Sequence, residues 1–416
     1  FASDAGGFGD DGTENIIKCG SFNTYAEINL GFEPQWVLYK RSDGAGSWSI
    51  VDNMRGWVNS GNDKILFPDT SGAESDGQRG HPTASGMLPI NGGSDTYIYI
   101  AIRRPMKTPE SGTEVFSPNI WTGDGSPEVI TTGFSPDVSL GINRGAVHAS
   151  TYLSSRLTGM DRYLSTTTNA AENSDTASVL SMDGITINSG NLTSGFGGGQ
   201  TYVGEFFKRA PSFMDVVAYT GNGTAGATQA HNLGVAPELI IVKKRDAQLY
   251  GSVYNKTLTA SKYLTLFGAG NSAAAADTGA FNGTEPTASV FTLGFYSNVN
   301  TNGGTYIAYL FATLAGVSKV GSYTGTGAAL NVDCGFTAGA RFILIKRTDS
   351  TGDWYTYDSV RGISAGNDPY LLLNTTAAEV TGTDYIDPLN AGFTVTSTAP
   401  AGLNANGGTY IFLSIA

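Results

Sequence analysis

The same sequence pattern occurs four times along the chain, and this repetition constrains the fold more than any single residue does. Each copy carries a glycine followed by an apolar residue, and these glycines are Gly31, Gly133, Gly234 and Gly335. They are spaced by about 101 residues, whereas the units of solenoid proteins have roughly 20 to 50. A unit of this length can bury a core of its own. We therefore expect an array of self-contained domains.

The composition of the 416 residues favours strands over helices. Charged residues make up only 14% of the chain, and 56 residues are glycine, among many Ser, Thr and Asn. Short strands joined by turns suit this mixture, whereas helical bundles need long blocks of Ala, Leu, Glu and Lys. We predict an all-β protein with four tandem β-sandwich domains, jelly-roll-like and of about 100 residues each.

The repeats give the expected domain boundaries. The predicted segments are an acidic, turn-rich lead-in 1–14, repeat 1 at 15–104, a divergent repeat 2 at 113–210, repeat 3 at 214–313 and repeat 4 at 318–416. Two prolines between residues 103 and 112 indicate a stiff linker, while few residues separate repeats 3 and 4. We expect separate domains strung along the chain, with repeats 3 and 4 held more rigidly than repeats 1 and 2.

Each repeat should contain roughly seven to ten short strands, the usual number for a sandwich of this size. Its first and last strands combine a Gly-rich turn with an aromatic and aliphatic run, as at 319–327 and 407–413 of repeat 4. Pairing of terminal strands closes many β-sandwiches, so we expect these two strands to be neighbours.

The net charge of the chain argues against two classes of binding partner. A net charge of -12 argues against nucleic acid, because phosphate binding requires clustered Lys and Arg. The same charge disfavours an anionic membrane surface, and no apolar run reaches the roughly 18 to 20 residues of a membrane span. We expect neither a nucleic-acid partner nor membrane insertion. The two cysteines, Cys19 and Cys334, replace apolar residues and are expected to behave as small hydrophobes.

One polar motif occurs in two repeats and is the main candidate site. Asp52 and Arg55 in repeat 1 match Asp358 and Arg361 in repeat 4, and a glycine follows each arginine. Such a pair could bind a polar ligand such as a sugar. The alternative, which we favour, is an ion pair that anchors a turn, with glycine supplying a positive φ. Repeats 2 and 3 lack the motif.

Other chemistry-bearing residues are scattered. A carboxylate recurs at Glu74, Glu172 and Glu379, with Asp277 aligned to it in repeat 3, but one carboxylate per repeat suits neither calcium nor glycoside hydrolysis. An anchor for a loop is the better interpretation. The three histidines, at 81, 148 and 231, occupy non-equivalent positions without further ligands at metal-binding spacing. We predict no catalytic, cofactor-binding or metal-binding residues.

The motifs of repeat 4 resemble an uncharacterised repeat domain found in tandem in tail-fibre and other virion structural proteins of tailed phages, mainly marine ones. The likeness rests on Val-Gly-Ser-Tyr-Thr-Gly-Thr-Gly at 320–327, on the strand 343–349, and on the segments 354–362, 371–379 and 406–411. Repeats 3 and 4 match well, repeat 1 fairly and repeat 2 loosely. The resemblance implies a location on the exterior of the virion and supplies no catalytic residues.

Our first functional hypothesis is a non-enzymatic phage virion structural protein, such as a tail fibre, an appendage or a capsid-surface protein. Its repeats would act as spacers and adhesion modules for host attachment or virion assembly. The expected partners are the chain itself, with a trimer favoured by analogy to fibres, other virion proteins and a host surface glycan. Tethered weak sites of this kind gain affinity through avidity.

Two alternatives stay open. A phage tail polysaccharide depolymerase would require a pair of carboxylates, which repeat 2 could supply from Asp161, Glu172, Asp175 and Asp183. A secreted bacterial adhesin or sheath protein could be built from the same module, and nothing in the chain distinguishes it from a virion protein.

Overall fold

The computed structural model describes residues 2–416 except 60, 62, 91–92, 146–150, 176–177, 189–198 and 269. Strands account for 42% of the chain and helices for 3%. The paired strands of the described residues are antiparallel throughout. The predicted all-β, sandwich-type class is therefore confirmed.

Repeats 1 and 2 each contain nine described strands. Those of repeat 1 are β1 Ile17–Phe22, β2 Ile28–Asn29, β3 Pro34–Arg41, β4 Ser49–Asp52, β5 Asp63–Ile65, β6 Ser75–Gly77, β7 His81–Pro82, β8 Gly86–Leu88 and β9 Tyr97–Arg103. Those of repeat 2 are β10 Phe116–Thr122, β11 Glu128–Thr131, β12 Val138–Asn143, β13 Thr151–Ser155, β14 Gly159–Leu164, β15 Asn173–Ser174, β16 Val179–Leu180, β17 Gly184–Ile187 and β18 Thr201–Phe207. A 3-10 turn, Gly112–Glu114, precedes β10.

Repeats 3 and 4 each contain eight described strands. Those of repeat 3 are β19 Met214–Thr220, β20 Thr228–Ala230, β21 Leu239–Lys244, β22 Gly251–Asn255, β23 Lys262–Leu266, β24 Ala275–Ala276, β25 Val290–Thr292 and β26 Thr305–Phe311. Those of repeat 4 are β27 Ser318–Thr324, β28 Leu330–Asp333, β29 Phe342–Arg347, β30 Trp354–Asp358, β31 Leu371–Leu372, β32 Ile386–Leu389, β33 Gly392–Val395 and β34 Thr409–Ile415. Two single-turn helices, α1 Ser297–Asn300 and α2 Ala401–Asn404, precede the last strands.

One main sheet with a common strand order forms the body of each repeat. In repeat 4 the order is β27-β34-β29-β30-β31, so the first strand pairs with the last, as the sequence predicts. A smaller sheet, β28-β33-β32, covers one face of it. The first, last and third strands of the repeat are neighbours, as in a jelly roll. The fourth and fifth strands, β30 and β31, then extend the main sheet as hairpins instead of crossing to the second sheet.

Two local features recur in all four repeats and explain why the sequence pattern recurs. The glycines at 31, 133, 234 and 335 all have φ between 74° and 84°, a conformation that side chains with a Cβ rarely adopt. An aromatic pair joins the first and last strands, as in Tyr323 and Tyr410, whose rings stack at 4.8 Å. The equivalent stacked pairs are Phe22 with Tyr97, Trp121 with Tyr202 and Tyr219 with Tyr306.

Each repeat has its own core between the main sheet and the smaller sheet. In repeat 3 this core includes Ile240 and Val242 of β21 together with Phe291 of β25. In repeat 4 it includes Ile343 and Phe393. Alternate residues of the main strands supply these side chains, as the twofold periodicity of a strand requires.

The opposite faces of three main sheets meet in a second, shared core, and this corrects the expectation of independent domains along the chain. Leu140, Ile241 and Leu344 occupy the same register in repeats 2, 3 and 4, and all three belong to one apolar cluster. The ring of Phe207 lies 6.1 Å from Phe311 of repeat 3 and 6.0 Å from Phe342 of repeat 4. Repeats 2 to 4 therefore form one block whose main strands are buried on both faces.

Repeat 1 lies outside the shared core and is attached to the block by buried charges. Glu33 and Asp215 accept hydrogen bonds from Arg209, and Arg104 forms ion pairs with the same two carboxylates. These four side chains are at most 9% exposed. Arg104, the last residue of the predicted repeat 1, is thus anchored to the block, and these paired charges help to fix the orientation of repeat 1.

Candidate functional site at the repeat junctions

The motif in repeat 4 is a fully enclosed turn anchor. Asp358 accepts hydrogen bonds from the backbone N–H groups of Val360 and Arg361 at 3.1 and 2.8 Å, and its other oxygen pairs with the Arg361 guanidinium. Arg361 Nη2 donates to the carbonyl of Thr356 at 3.0 Å. Neither charged side chain is exposed. Gly362 closes the turn with φ of 114°, a value suited to glycine. A ligand in solvent cannot reach this pair.

The motif in repeat 1 has the same geometry with partial exposure. Asp52 accepts from the N–H groups of Met54 and Arg55 at 3.1 and 2.9 Å, and Arg55 Nε lies 2.6 Å from its second oxygen. Arg55 also pairs with Glu74 at 3.0 Å. The side chains of Arg55 and Asp52 are 24% and 17% exposed. The difference arises because repeat 2 encloses the motif of repeat 4, where Glu205 lies beside Asp358, whereas the motif of repeat 1 borders an open groove.

Sequence comparison missed the equivalents of this anchor in repeats 2 and 3. The strand register places Ser155 and Asn255 opposite Val138 and Leu239, where Asp52 and Asp358 stand in the other repeats. Ser155 Oγ accepts from the N–H of Leu157, and Asn255 Oδ1 accepts from the N–H of Thr257. In all four repeats, therefore, a short polar side chain accepts a hydrogen bond from the backbone N–H two residues later. A side-chain acceptor that recurs at this position is the sequence signal by which the equivalents could have been found.

The recurring carboxylates of repeats 2 and 4 join neighbouring repeats. Glu379 forms a bidentate ion pair with Arg144 of repeat 2, with N to O distances of 2.8 and 2.7 Å. Glu172 forms the same bidentate pair with Arg245 of repeat 3 at 2.8 and 2.7 Å. Planar bidentate pairs of this kind are strong and directional. The carboxylates anchor loops, as expected, but to the next repeat instead of to their own.

A backbone hydrogen bond accompanies each junction and closes the three repeats into a ring. The N–H of Glu172 donates to the carbonyl of Arg245, and the N–H of Glu379 donates to that of Arg144. Between repeats 3 and 4 the N–H of Ala274 donates to the carbonyl of Thr348. Ala274 therefore occupies the position at which sequence alignment placed Asp277, and that alignment was wrong. Asp277 instead accepts from the N–H of Gly279 and from the Tyr296 hydroxyl.

Three further side-chain donors, two of them at equivalent positions in repeats 3 and 4, cross the junctions. Lys243 donates to the carbonyl of Asn169 at 3.0 Å, and Lys346 donates to that of Asn271 at 3.3 Å. Burial lowers the pKa of both amines to about 8. The indole N–H of Trp354 donates to carbonyls of repeat 3. These groups satisfy polar atoms that the shared core would otherwise leave unpaired.

An unusual acid lies at the junction of repeats 2 and 4. Glu205 is buried on the shared-core face of β18, where no N–H or O–H donor of the described residues reaches its carboxyl oxygens and the Asp358 carboxylate lies within hydrogen-bonding range. Burial and the nearby Asp358 carboxylate raise the pKa of Glu205 well above its ordinary value, against the opposing effect of Arg361. The protonated form is therefore favoured inside the protein.

One groove borders the candidate residues of repeat 1. It measures about 550 Å³ and lies between the 53–58 turn of repeat 1 and the 156–161 segment of repeat 2. Arg55 and Arg156 line it, but their guanidinium groups are already paired with Asp52 and Glu74 and with Asp137. The groove is large enough for a small polar ligand, and its cations would have to give up existing partners to bind one.

The histidines and carboxylates named from the sequence do not come together. Burial lowers the pKa of His81 and His231, which lie in repeats 1 and 3, while His148 lies outside the described residues. In repeat 2, Glu172 is held by Arg245, and Asp183 accepts from the Ser181 hydroxyl. Asp161 is about half exposed beside Arg162, and its backbone carbonyl accepts from the N–H of Asp175. Across the described residues, no group of three or more His, Cys, Asp or Glu side chains could hold a metal ion.

These features define a protein of tandem β-sandwich repeats, three of which are closed into a ring by two ion pairs and three backbone hydrogen bonds. The sequence model of one family, described as "Domain of unknown function (DUF7483)", matches residues 18–104 and 111–416. The chain belongs to this family. No curated protein and no solved structure matches it. None of the helices in the described ranges has the length and apolar character of a membrane span.

Proposed function

We propose that this protein is a non-enzymatic structural component of a phage virion, located on the exterior of the particle as a fibre, an appendage or a capsid-surface protein. Its repeats would serve as a rigid spacer and as adhesion modules for the host surface or for virion assembly. The sequence resemblance to tandem repeats of virion proteins supports this assignment.

The observation that carries the proposal is the closed block of repeats 2 to 4. Leu140, Ile241 and Leu344 share one core, and the Arg144–Glu379 pair joins the last repeat to the first of the block. Such closure favours cooperative unfolding and leaves few segments that open locally for a protease. A particle surface that meets host proteases and shear needs a component with these properties.

The expected ligand-binding role would fall on exposed aromatic side chains and on the groove beside Arg55. Tyr25, Tyr250 and Phe295 are 61%, 45% and 61% exposed. Exposed aromatic rings stack on the apolar faces of sugars and act as hot spots at interfaces. A host surface glycan is therefore a fitting ligand, and several copies on one particle would raise a weak affinity through avidity.

Immunogold electron microscopy of purified particles tests the location. Antibodies against the recombinant chain should label intact virions at a defined exterior position, and pre-adsorption with the recombinant chain should abolish that labelling. Labelling confined to cell envelopes would support the secreted adhesin or sheath protein instead, and intact particles that stay unlabelled would overturn the proposal.

The depolymerase alternative is tested separately. Host capsule or exopolysaccharide incubated with the recombinant chain should release no reducing ends above the level of a heat-denatured control. Sustained release that Asp161→Asn or Asp175→Asn abolishes would replace the structural role with an enzymatic one.

A further inference from the structure

Repeat 1 presents an apolar sheet face that nothing in the described chain covers. We call it the open face, and its residues come from alternate positions of β3, β4 and β9 and from the segment after β5: Trp36, Leu38, Ile50, Leu66, Ile98, Ile100 and Ile102. Leu66 and Ile98 are 36% and 42% exposed, and the remaining residues are half-buried. Exposed contiguous apolar surface usually marks an interaction site.

The shared core covers the equivalent face in the other three repeats. Leu38 pairs with Ile100 in the register that Leu344 and Leu413 have in repeat 4. Leu344 and Leu413 lie in the shared core at 5% and 2% exposure. The burial of β3 alternates between buried and half-buried positions, whereas the first five residues of β29 are all buried. Repeat 1 therefore has the apolar face that the other repeats bury in the shared core, but no other repeat packs against it in the described residues.

The sequence of this face is that of a buried surface. A sheet with one wet face normally alternates apolar and polar residues, because only the inner face gains from burial. β9 instead carries Ile98, Ile100 and Ile102 on its outer face. Their equivalents in repeat 4 are Ile411, Leu413 and Ile415, which line the shared core.

Polar groups of repeat 1 also lack the partners that their equivalents find in a neighbouring repeat. Lys40 donates to the carbonyl of Gly46, as Lys346 does to that of Gly352, but only Lys346 also reaches a second repeat. The Trp354 indole N–H donates across a junction, whereas the equivalent Trp48 has no hydrogen bond within the described ranges.

Within the described residues, repeat 1 also lacks the backbone hydrogen bond that joins each of repeats 2 to 4 to the next one. The N–H of Ser42 donates to the carbonyl of Thr96, as the N–H of Thr348 does to the carbonyl of Thr409, so Ser42 is equivalent to Thr348. In repeat 4 the carbonyl of Thr348 accepts a hydrogen bond from the adjoining repeat. Glu74 occupies the position of Glu379, which donates the equivalent bond to repeat 2. Neither the Ser42 carbonyl nor the Glu74 N–H forms such a bond in the part of the chain that is described.

We propose that the open face packs against the open faces of two other copies of this chain, forming a trimer around a core of the same design as that of repeats 2 to 4. The occupant follows from the interface that already exists inside the chain, since there the same face in the same register is covered by two sibling repeats. The backbone N–H of Glu74 in one copy then donates to the carbonyl of Ser42 in the next copy. Closed threefold symmetry gives every copy the same set of contacts.

The inference deepens the self-assembly expected of the proposed virion protein but stands apart from the virion location. Sedimentation of the purified full-length chain tests it, and should give a mass about three times the 43.4 kDa of one chain. Ile100→Lys places a charge in the proposed interface while remaining half-exposed in the single chain, so it should sediment as one chain with unchanged circular dichroism. Ile98→Lys, at the more exposed position, should do the same.

Val129→Lys is the matched control, because Val129 is an apolar strand residue that is 72% exposed on repeat 2. It should leave the trimer intact. A wild-type mass of one or two chains would overturn the proposal, as would a trimer that persists in both isoleucine variants. If Ile100→Lys fails to fold, Ile98→Lys decides. A single-chain wild type would leave the proposed virion location to be judged by immunolabelling.

Discussion

The guanidinium of Arg144 forms a bidentate ion pair with Glu379, although 235 positions separate the two residues in sequence. The pair joins repeat 2 to repeat 4, and its counterpart between Glu172 and Arg245 joins repeat 2 to repeat 3. Together with the backbone bond between Ala274 and Thr348, these contacts form a closed ring around the shared core. The three repeats are therefore parts of one folded unit.

The two copies of the Asp-x-x-Arg-Gly motif should differ in their contribution to stability. Asp358→Ala removes the close partner of the fully buried Arg361 and leaves only the Glu379 carboxylate, 3.7 Å away, so we expect a loss of about 3–5 kcal/mol in the free energy of unfolding. Asp52→Ala leaves the partly exposed Arg55 still paired with Glu74, and should lose about 1–2 kcal/mol. Urea unfolding measures both losses, and equal values would contradict the assigned burial.

Arg245 should be among the most important single charges, because it links three repeats. It pairs with Glu172 of repeat 2 and donates to the carbonyl of Asn59 in repeat 1. Arg245→Ala should lower the free energy of unfolding by about 3–5 kcal/mol. Lys107→Ala, whose side chain is 64% exposed beside Glu110, is the control and should change it by less than about 1 kcal/mol. Similar effects from the two variants would argue against the junction.

Much of the single-repeat fold was predictable from the sequence. The spacing of the four glycines predicted the repeat, because each of them needs a positive φ at the same turn. The pairing of first and last strands followed from their shared aromatic pattern. These features depend on local sequence, so short stretches of the chain are enough to predict them.

The shared core was not predicted, although a signal was present. Phe342, Ile343, Leu344 and Ile345 form an unbroken apolar run, which is typical of a strand buried on both faces. We interpreted each repeat as a separate sandwich, which needs only one buried face. The junction pairs were equally hidden, because Arg144 and Glu379 have no local pattern that connects them. The turn anchors Ser155 and Asn255 were missed because three residue types do the same work.

Glu205 should make stability depend on pH. Because burial raises the pKa of this carboxyl in the folded state, its contribution is fully present below the unfolded pKa, near 4.5, and is lost as the pH rises toward the folded pKa. Glu205→Gln cannot ionise, so it should match the wild type at about pH 4 and exceed its stability by about 1–3 kcal/mol at about pH 8.

Thermal unfolding across this pH range provides the measurement. Glu110→Gln, at an exposed position, is the control and should follow the wild type throughout. A Glu205→Gln variant that is less stable than the wild type at about pH 8 would show that the ionised carboxylate is preferred in the fold.

Cys19 offers a chemical probe of the open face. Cys19 lies on β1 directly opposite Ile100 of β9 and is half-buried, while Cys334 is buried in repeat 4. In the proposed trimer Cys19 is covered, so iodoacetamide should alkylate it slowly in the wild type and at least about tenfold faster in Ile100→Lys. Mass spectrometry of the modified peptide gives the rates, and equal rates in the two proteins would place Cys19 outside any interface.

The most direct test of the shared core is native-state hydrogen exchange on Leu344→Ala. Leu344 lies in the shared core, and its loss should lower the free energy of unfolding of the block by about 2–5 kcal/mol. Because repeats 2 to 4 unfold together in this account, the slowest-exchanging amides of β12, β21 and β29 should lose the same protection free energy. Loss of protection confined to repeat 4, with β12 and β21 unchanged, would contradict the account.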